Sequence, residues 1–331
     1  SSPAFADIEF DVIGGSEITF TGLIQSDGYW YDSDIAALGG TPTSTSSGDG
    51  TDTDFGMRRS ELVFKGKGPG QWNWVAGYDF TGNRFLDVNV AYKFSAFTAI
   101  TVGQYKQPNS LEELSSTKNN DFISKAMTTN LQGIARRVGV AAVTGDTNWS
   151  ITGSVFGDTL TRNINNGNGY GVSGTFAPFN EAGSILHLGL SWIDYQAELT
   201  GSAPGVRPVT SGDNQAQWRV RPDADLTGVR LVDSGVFKDA DRNSTWGAEA
   251  AWVQGPFKLQ AEYMGSQTSR SDHDTYNLDS WYVYGVWNIT GETWGYKDTV
   301  LRTGLPDNQS LGMWQIGLRS KAPDLNDGPA R

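Results

Sequence analysis

Arg219 and Arg221 stand two residues apart in Trp218-Arg219-Val220-Arg221-Pro222, and Arg230 and Lys238 follow on the same irregular stretch. A guanidinium presents a planar fork of donors that matches carboxylate or phosphate oxygens bidentately. Arginines spaced along a loop that dips into a vestibule would therefore make a ladder for anions. The competing reading is local neutralisation of Asp223 and Asp225, which come next in the chain. A second chemically suggestive segment is Gln107–Gln132. Its stretch Leu111-Glu112-Glu113-Leu114-Ser115-Ser116-Thr117-Lys118-Asn119-Asn120 mixes both charge signs and predicts a short helical turn.

Other chemistries find little support. Gly169-x-Gly171-x-x-Gly174 matches a dinucleotide fingerprint, but it continues as a strand through Val172–Phe176 where a helix is required. No cofactor is expected. Asp49, Asp52 and Asp54 have the flavour of a calcium loop, yet the twelfth position from Asp49 is Ser60 and not Glu, which leaves only a weak cation candidate. The two histidines are His187, in an alternating segment, and His273, between Asp272 and Asp274. His187 could serve a barrel-embedded hydrolase; the plainer reading is an imidazole lining a wet interior. Cysteine is absent, which removes disulfides, thiol catalysis and sulfur metal sites.

The elements that must position these groups are strands. Trp72-Asn73-Trp74-Val75-Ala76-Gly77-Tyr78 alternates large apolar with small or polar side chains, and similar segments recur between tight turns. Alternation over about nine to eleven residues is what a tilted strand needs to cross a bilayer. No run of apolar residues is long enough for a membrane helix. Hydrophobic residues make up only 37% of the 331, yet there are 12 Trp and 41 Gly, a mixture that fits a wet lumen behind aromatic girdles. The fold class expected is all-β: one transmembrane antiparallel β-barrel over residues 1–331. About thirteen strands can be read, short turns alternate with long stretches, and Gly291–Gly312 falls as a long irregular connection on the short-turn side. Bacterial barrels have even numbers, so the expectation is about sixteen strands, with about three closing strands missing after Arg331.

Parity then sorts the charges. Leu62 and Phe64 outward put Arg59, Glu61 and Lys65 inward; Phe257, Leu259 and Tyr263 outward put Lys258, Gln260 and Glu262 inward. The same argument places His187, Glu249, Arg319 and Arg137 inside, with Arg136 at the rim. A lysine or arginine facing mid-bilayer lipid would cost about 2–4 kcal/mol, so the sorting is a constraint.

Several ordered segments resemble the phosphate-selective porin O/P family of Gram-negative outer membranes. They are Phe55-Gly56-Met57-Arg58-Arg59-Ser60-Glu61-Leu62-Val63-Phe64, Ser110-Leu111-Glu112 with Ser115-Ser116-Thr117-Lys118, and Phe176-Ala177-Pro178. Leu186-His187-Leu188-Gly189-Leu190, Arg219-Val220-Arg221-Pro222, Ser244-Thr245-Trp246-Gly247-Ala248-Glu249, Gln260-Ala261-Glu262-Tyr263 and Ile289-Thr290-Gly291-Glu292 continue the series. The resemblance implies trimeric sixteen-stranded channels in the outer membrane that pass phosphate or related anions along an arginine and lysine path. Carried onto this sequence, the path takes the paired Arg58 and Arg59, the loop lysine Lys118, and Arg219 with Arg221. Lys125 stands nearest to an arginine expected late in the constriction loop, and Asp223-Ala224-Asp225 replaces basic residues after Pro222.

The expected function is passive diffusion of small anions, without catalysis, past an eyelet formed by Gln107–Gln132 and a cationic stripe that also includes Arg137. Thr200–Ser244 is expected as a long extracellular loop. The alternative is a general or carbohydrate porin, motivated by the many aromatics and a lumen of mixed sign. Partners would be small hydrophilic solutes, outer-membrane lipid and lipopolysaccharide, with a homotrimer implied by the resemblance. The formal charge of −12 argues against nucleic acid.

Overall fold

The computed structural model describes residues 8–12, 16–30, 53–68, 70–161, 167–197, 215–221 and 232–325. In chain order the strands are β1 Ile8–Val12, β2 Ser16–Trp30, β3 Thr53–Lys67, β4 Trp72–Asp79, β5 Arg84–Lys93 and β6 Ala99–Lys106. Two short helices follow, α1 Leu111–Leu114 and α2 Met127–Gln132. Then come β7 Arg136–Gly145, β8 Trp149–Phe156, β9 Gly169–Glu181, β10 Ser184–Gln196, β11 Arg219–Val220 and β12 Val232–Asp233. The last are β13 Ala240–Gln254, β14 Phe257–Arg270, β15 Tyr276–Asn288, β16 Trp294–Lys297, β17 Val300–Thr303 and β18 Gln315–Asp324.

One sheet of 14 strands runs β1 to β10, then β13, β14, β15 and β18, with each strand pairing antiparallel to its sequential neighbour. All thirteen strands read from alternation are present. The fourteenth, β1, has five residues, too few for the period to register as a crossing strand. The sheet thus holds fourteen strands among the described residues, one more than the thirteen read from alternation.

The sheet has one oily face and one polar face, as period-2 alternation demands. Trp192 and Trp246 are directly paired on the outer face, and both stay well exposed. Near the long-loop end Tyr170, Trp192, Trp246, Tyr263 and Trp281 form one row; near the short-turn end Trp72, Tyr92, Trp252, Phe257 and Trp287 form another. Ring contacts knit each row, 5.1 Å between Trp246 and Tyr263 and 4.8 Å between Trp72 and Tyr92. Aliphatic residues such as Leu188, Leu190, Leu259 and Val283 fill the belt between, at 42–69% exposure. So much exposed apolar surface is what a bilayer covers. Outward glycines serve the girdle: a Cβ at Gly66 would fall 2.2 Å from the Trp74 indole, which lies over it.

The inner face carries the polar set. His187, Lys258, Gln260, Glu262, Ser280 and Tyr282 are all buried. Two inserted segments cover them. One is the β6–β7 connection with α1 and α2. The other corrects the sequence reading of Gly291–Gly312 as irregular. That stretch contains the β16–β17 hairpin, which enters from the short-turn end and buries Trp294 completely. Trp294, Val300 and Leu301 join Leu111, Ala126, Tyr282, Tyr284 and Val286 in one apolar cluster. The signal was present but short, since each arm is only four residues.

Candidate functional site

The β6–β7 segment is fixed to one side of the interior by hydrogen bonds from its first turn onward. Ser110 caps α1, its Oγ accepting from the Glu113 amide at 3.1 Å. The Glu112 amide donates to Glu262 Oε1 at 2.8 Å, and Tyr282 donates to the same oxygen at 2.5 Å. The Glu112 carboxylate accepts from the Ala126 amide and Thr129 Oγ1 at 2.9 and 2.6 Å, with Arg319 3.5 Å away. Burial pushes this carboxyl above its usual range, partly offset by the Thr129 and Ala126 hydrogen bonds. Further along, Asp121 accepts from Lys258 at 2.7 Å and from Tyr284 and the Trp294 indole at 3.0 Å each. A single buried carboxylate thus joins the segment, the wall and the hairpin. Gln132 donates to Ser266 at 2.8 Å and completes the staple.

With β14, β15 and β18 covered, the open space lies along β2 to β7. A chamber of about 870 Å³ is bounded there by those strands, the tip of the inserted segment and Arg221. Ten cationic side chains line it: Arg58, Arg59, Lys65, Arg84, Lys106, Lys118, Lys125, Arg136, Arg221 and Arg302. Against them stand three carboxylates, Glu61, Asp87 and Glu113. This surplus arises in a chain whose formal charge is −12.

Local structure explains how neighbours in sequence share the chamber. In a regular strand Arg58 and Arg59 would face opposite ways. Here Gln25 pairs with Arg59 and Ser26 with Met57, so Arg58 is the extra residue of a β-bulge. Both arginines turn inward. Arg58 donates to Asp27 at 2.6 Å and to Ser124 Oγ at 3.0 Å, tying the inserted segment to β2 and β3. Arg59 donates to Gln25 at 2.6 Å and lies 3.7 Å from Glu61. Arg136 grips Asp87 bidentately at 3.0 and 3.1 Å. Lys125 meets Glu113 Oε2 at 2.5 Å, and Lys106 donates to the carbonyls of Glu113 and Ser115. Burial alone would raise the Glu113 carboxyl, but Lys125 and Lys106 outweigh it and hold the group below the usual carboxylate range.

A second chamber of about 780 Å³ opens toward the short-turn end, bounded by the β5–β6 and β7–β8 turns and the hairpin. Its lining is balanced, with Lys93, Lys106, Lys297 and Arg302 against Asp87, Asp146, Glu249 and Asp298. Asp87, Lys106, Leu114, Val300 and Arg302 line both chambers and mark their junction.

Of the residues expected from sequence, Arg58, Arg59, Lys118, Lys125 and Arg221 come together in the cationic chamber. Arg219 and Arg137 do not line it. Arg137 is fully buried, and one of its guanidinium nitrogens donates to the Arg136 carbonyl. Its neighbour Arg136, expected at the rim, is drawn into the chamber by Asp87. Lys106, Arg84 and Arg302 carry no such signal in the sequence: two sit at strand ends, and the third is placed by the β16–β17 hairpin. Asp49, Asp52 and most of Thr200–Ser244, including Arg230, Asp223 and Asp225, lie outside the described residues; of Asp54 only the backbone, in β3, is described. Among the described residues no three His, Asp or Glu side chains gather as a metal site. His187 is buried between Tyr296, 2.7 Å from Nδ1, and Glu249, 3.1 Å from Nε2. It thereby ties β10 to the hairpin.

Residues 39–330 match the family described as phosphate-selective porin O and P. A stretch of 161 residues is 30% identical to Porin O of Pseudomonas aeruginosa, covering 45% of this chain and 36% of that protein. An uncharacterized protein of Caulobacter vibrioides is 25% identical over 260 residues, 74% of this chain and 50% of that one. The chain therefore spans half or less of the length of these curated relatives. An anion-selective porin from Comamonas acidovorans shares the fold with a TM-score of 0.50 at 12% identity, over 83% of this chain and 75% of that one.

Proposed function

The chain belongs to the phosphate-selective porin O and P family, and from this premise and the charge of its interior we propose that it is a channel through which small anions diffuse passively. The setting is the bacterial outer membrane, where the family and the barrel fold belong. The observation that carries the proposal is the lining of the larger chamber, ten cations against three carboxylates.

An anion approaching a narrow passage sheds part of its hydration shell, and it enters only where fixed donors compensate. Arg58, Arg59, Arg84 and Arg136 are held from behind or beside by Asp27, Glu61, Asp79 and Asp87. Those pairings fix the direction of each guanidinium while its positive charge still faces the chamber. Binding stays weak because each cation is already partly compensated, which favours release as well as entry. Focusing of the field between low-dielectric walls would raise the local anion concentration. A homotrimer embedded among lipid and lipopolysaccharide is the assembly we propose. The deciding experiment is the zero-current potential of the reconstituted channel under a potassium chloride gradient. The proposal expects the sign set by chloride; a potential set by potassium would overturn it.

A further inference from the structure

The cationic chamber is not uniformly polar, and the apolar part of its lining has a consequence for which anions pass. Leu23 pairs across from Glu61, and Val63 and Val75 share the inner face of β3 and β4 with Glu61 and Lys65. Gly77 lets them close up: a Cβ there would lie 3.1 Å from both Val63 Cγ2 and Leu86 Cβ. An aliphatic stripe therefore runs between the cations of β3 and β5. At the junction of the chambers the pattern repeats, with Leu114 from α1 and Val300 from the hairpin beside Lys106 and Arg302. Barrel interiors that conduct water are ordinarily polar, so apolar side chains at these inward positions call for an explanation.

Resting on the anion-channel reading, we propose that this passage favours organic anions, a carboxylate carried on an aliphatic or aromatic body, over inorganic phosphate. Phosphate spreads its charge over four oxygens and needs donors around most of its surface when water is stripped. The stripe and the Leu114–Val300 edge offer none on that side, so part of its shell is lost without compensation. The junction donors are also partly spent. Lys106 gives two of its three N–H groups to the carbonyls of Glu113 and Ser115, and Arg302 Nη2 is 3.2 Å from Asp298. A carboxylate asks for donors at one end only. Its body then lies on the stripe, where shedding water is favourable.

The test compares potassium salts of benzoate, acetate and phosphate at equal concentration on the reconstituted full chain, reading zero-current potentials against chloride. Benzoate is expected to exceed phosphate in relative permeability by about fivefold, and acetate to fall between them, the scale of one modest apolar contact. Val75→Thr, nearly isosteric, should cut the benzoate-to-phosphate ratio by about threefold, and Leu114→Ser should act in the same direction. Arg302→Gln should instead lower benzoate and phosphate together relative to potassium. A wild-type channel that is anion-selective but passes phosphate as well as benzoate would overturn this proposal and leave the anion reading standing. So would a ratio unmoved by both Val75→Thr and Leu114→Ser. A wild-type channel selective for potassium would overturn the underlying reading.

Discussion

Asp121→Ala removes the carboxylate that Lys258, Tyr284 and the Trp294 indole all donate to. The Lys258–Asp121 pair is buried on both sides, with side-chain exposures of 2% and 0%. Deleting one partner of such a pair leaves an uncompensated charge and costs about 3–5 kcal/mol. That penalty applies while the inserted segment and the hairpin stay docked. If either swings away, water reaches Lys258 and most of the cost is relieved. The docked–undocked equilibrium should therefore move by about a hundredfold or more, at about 1.4 kcal/mol per decade. Single-channel recording should show larger and noisier conductance from Asp121→Ala. Asp121→Ala combined with Lys258→Met should return the current toward wild type, because no orphan charge remains. A quiet, wild-type conductance in Asp121→Ala would refute the view that this carboxylate locks both insertions.

Two further outcomes follow from the same geometry. Glu113 has a folded-state pKa below its unfolded value, so its contribution to stability is present above the ordinary carboxylate range and fades as pH falls through the folded value. Protonation also removes one of three chamber carboxylates, so acid titration of the zero-current potential should show rising anion preference, and Glu113→Gln should reduce the part of that rise that lies below the ordinary carboxylate range. On the outer face, Gly66→Ala would push the Trp74 indole off the sheet, from an ideal Cβ distance of 2.2 Å. A loss of about 1–3 kcal/mol in denaturant unfolding from detergent is expected, and an unchanged midpoint would count against the packing described.

Much of the wall was legible because lipid and water impose opposite demands on alternate residues. Trp246, Ala248, Ala250 and Trp252 cannot all face outward without sending Glu249 inward, and that logic holds over whole strands. It fails where pairing breaks the count. Arg58 and Arg59 share one face only through a bulge, and the bulge is visible in the pairing with Gln25 and Ser26, not in the sequence of β3 alone. Arg136 and Arg137 are the mirror case. Parity sends Arg137 inward and leaves Arg136 at the rim, yet it is Arg136 that lines the chamber, held there by Asp87. The β16–β17 hairpin was hidden for another reason. Its partners Asp121 and His187 are remote in sequence, and four-residue arms carry little periodic signal.

Net charge was the least informative number about the passage. The sequence holds 37 acidic residues against 25 basic ones, a balance that on its face contradicts a cationic pore. The contradiction dissolves once position is counted instead of sum. Asp27 and Asp79 sit behind Arg58 and Arg84 and outside the chamber lining, where they orient the guanidinium without facing the solute. Asp121 and Glu262 are spent on holding the inserted segment. An acidic chain can thus build a cationic chamber by using carboxylates as structural anchors, and replacing those anchors should disturb that lining more than removing an equal number of surface carboxylates.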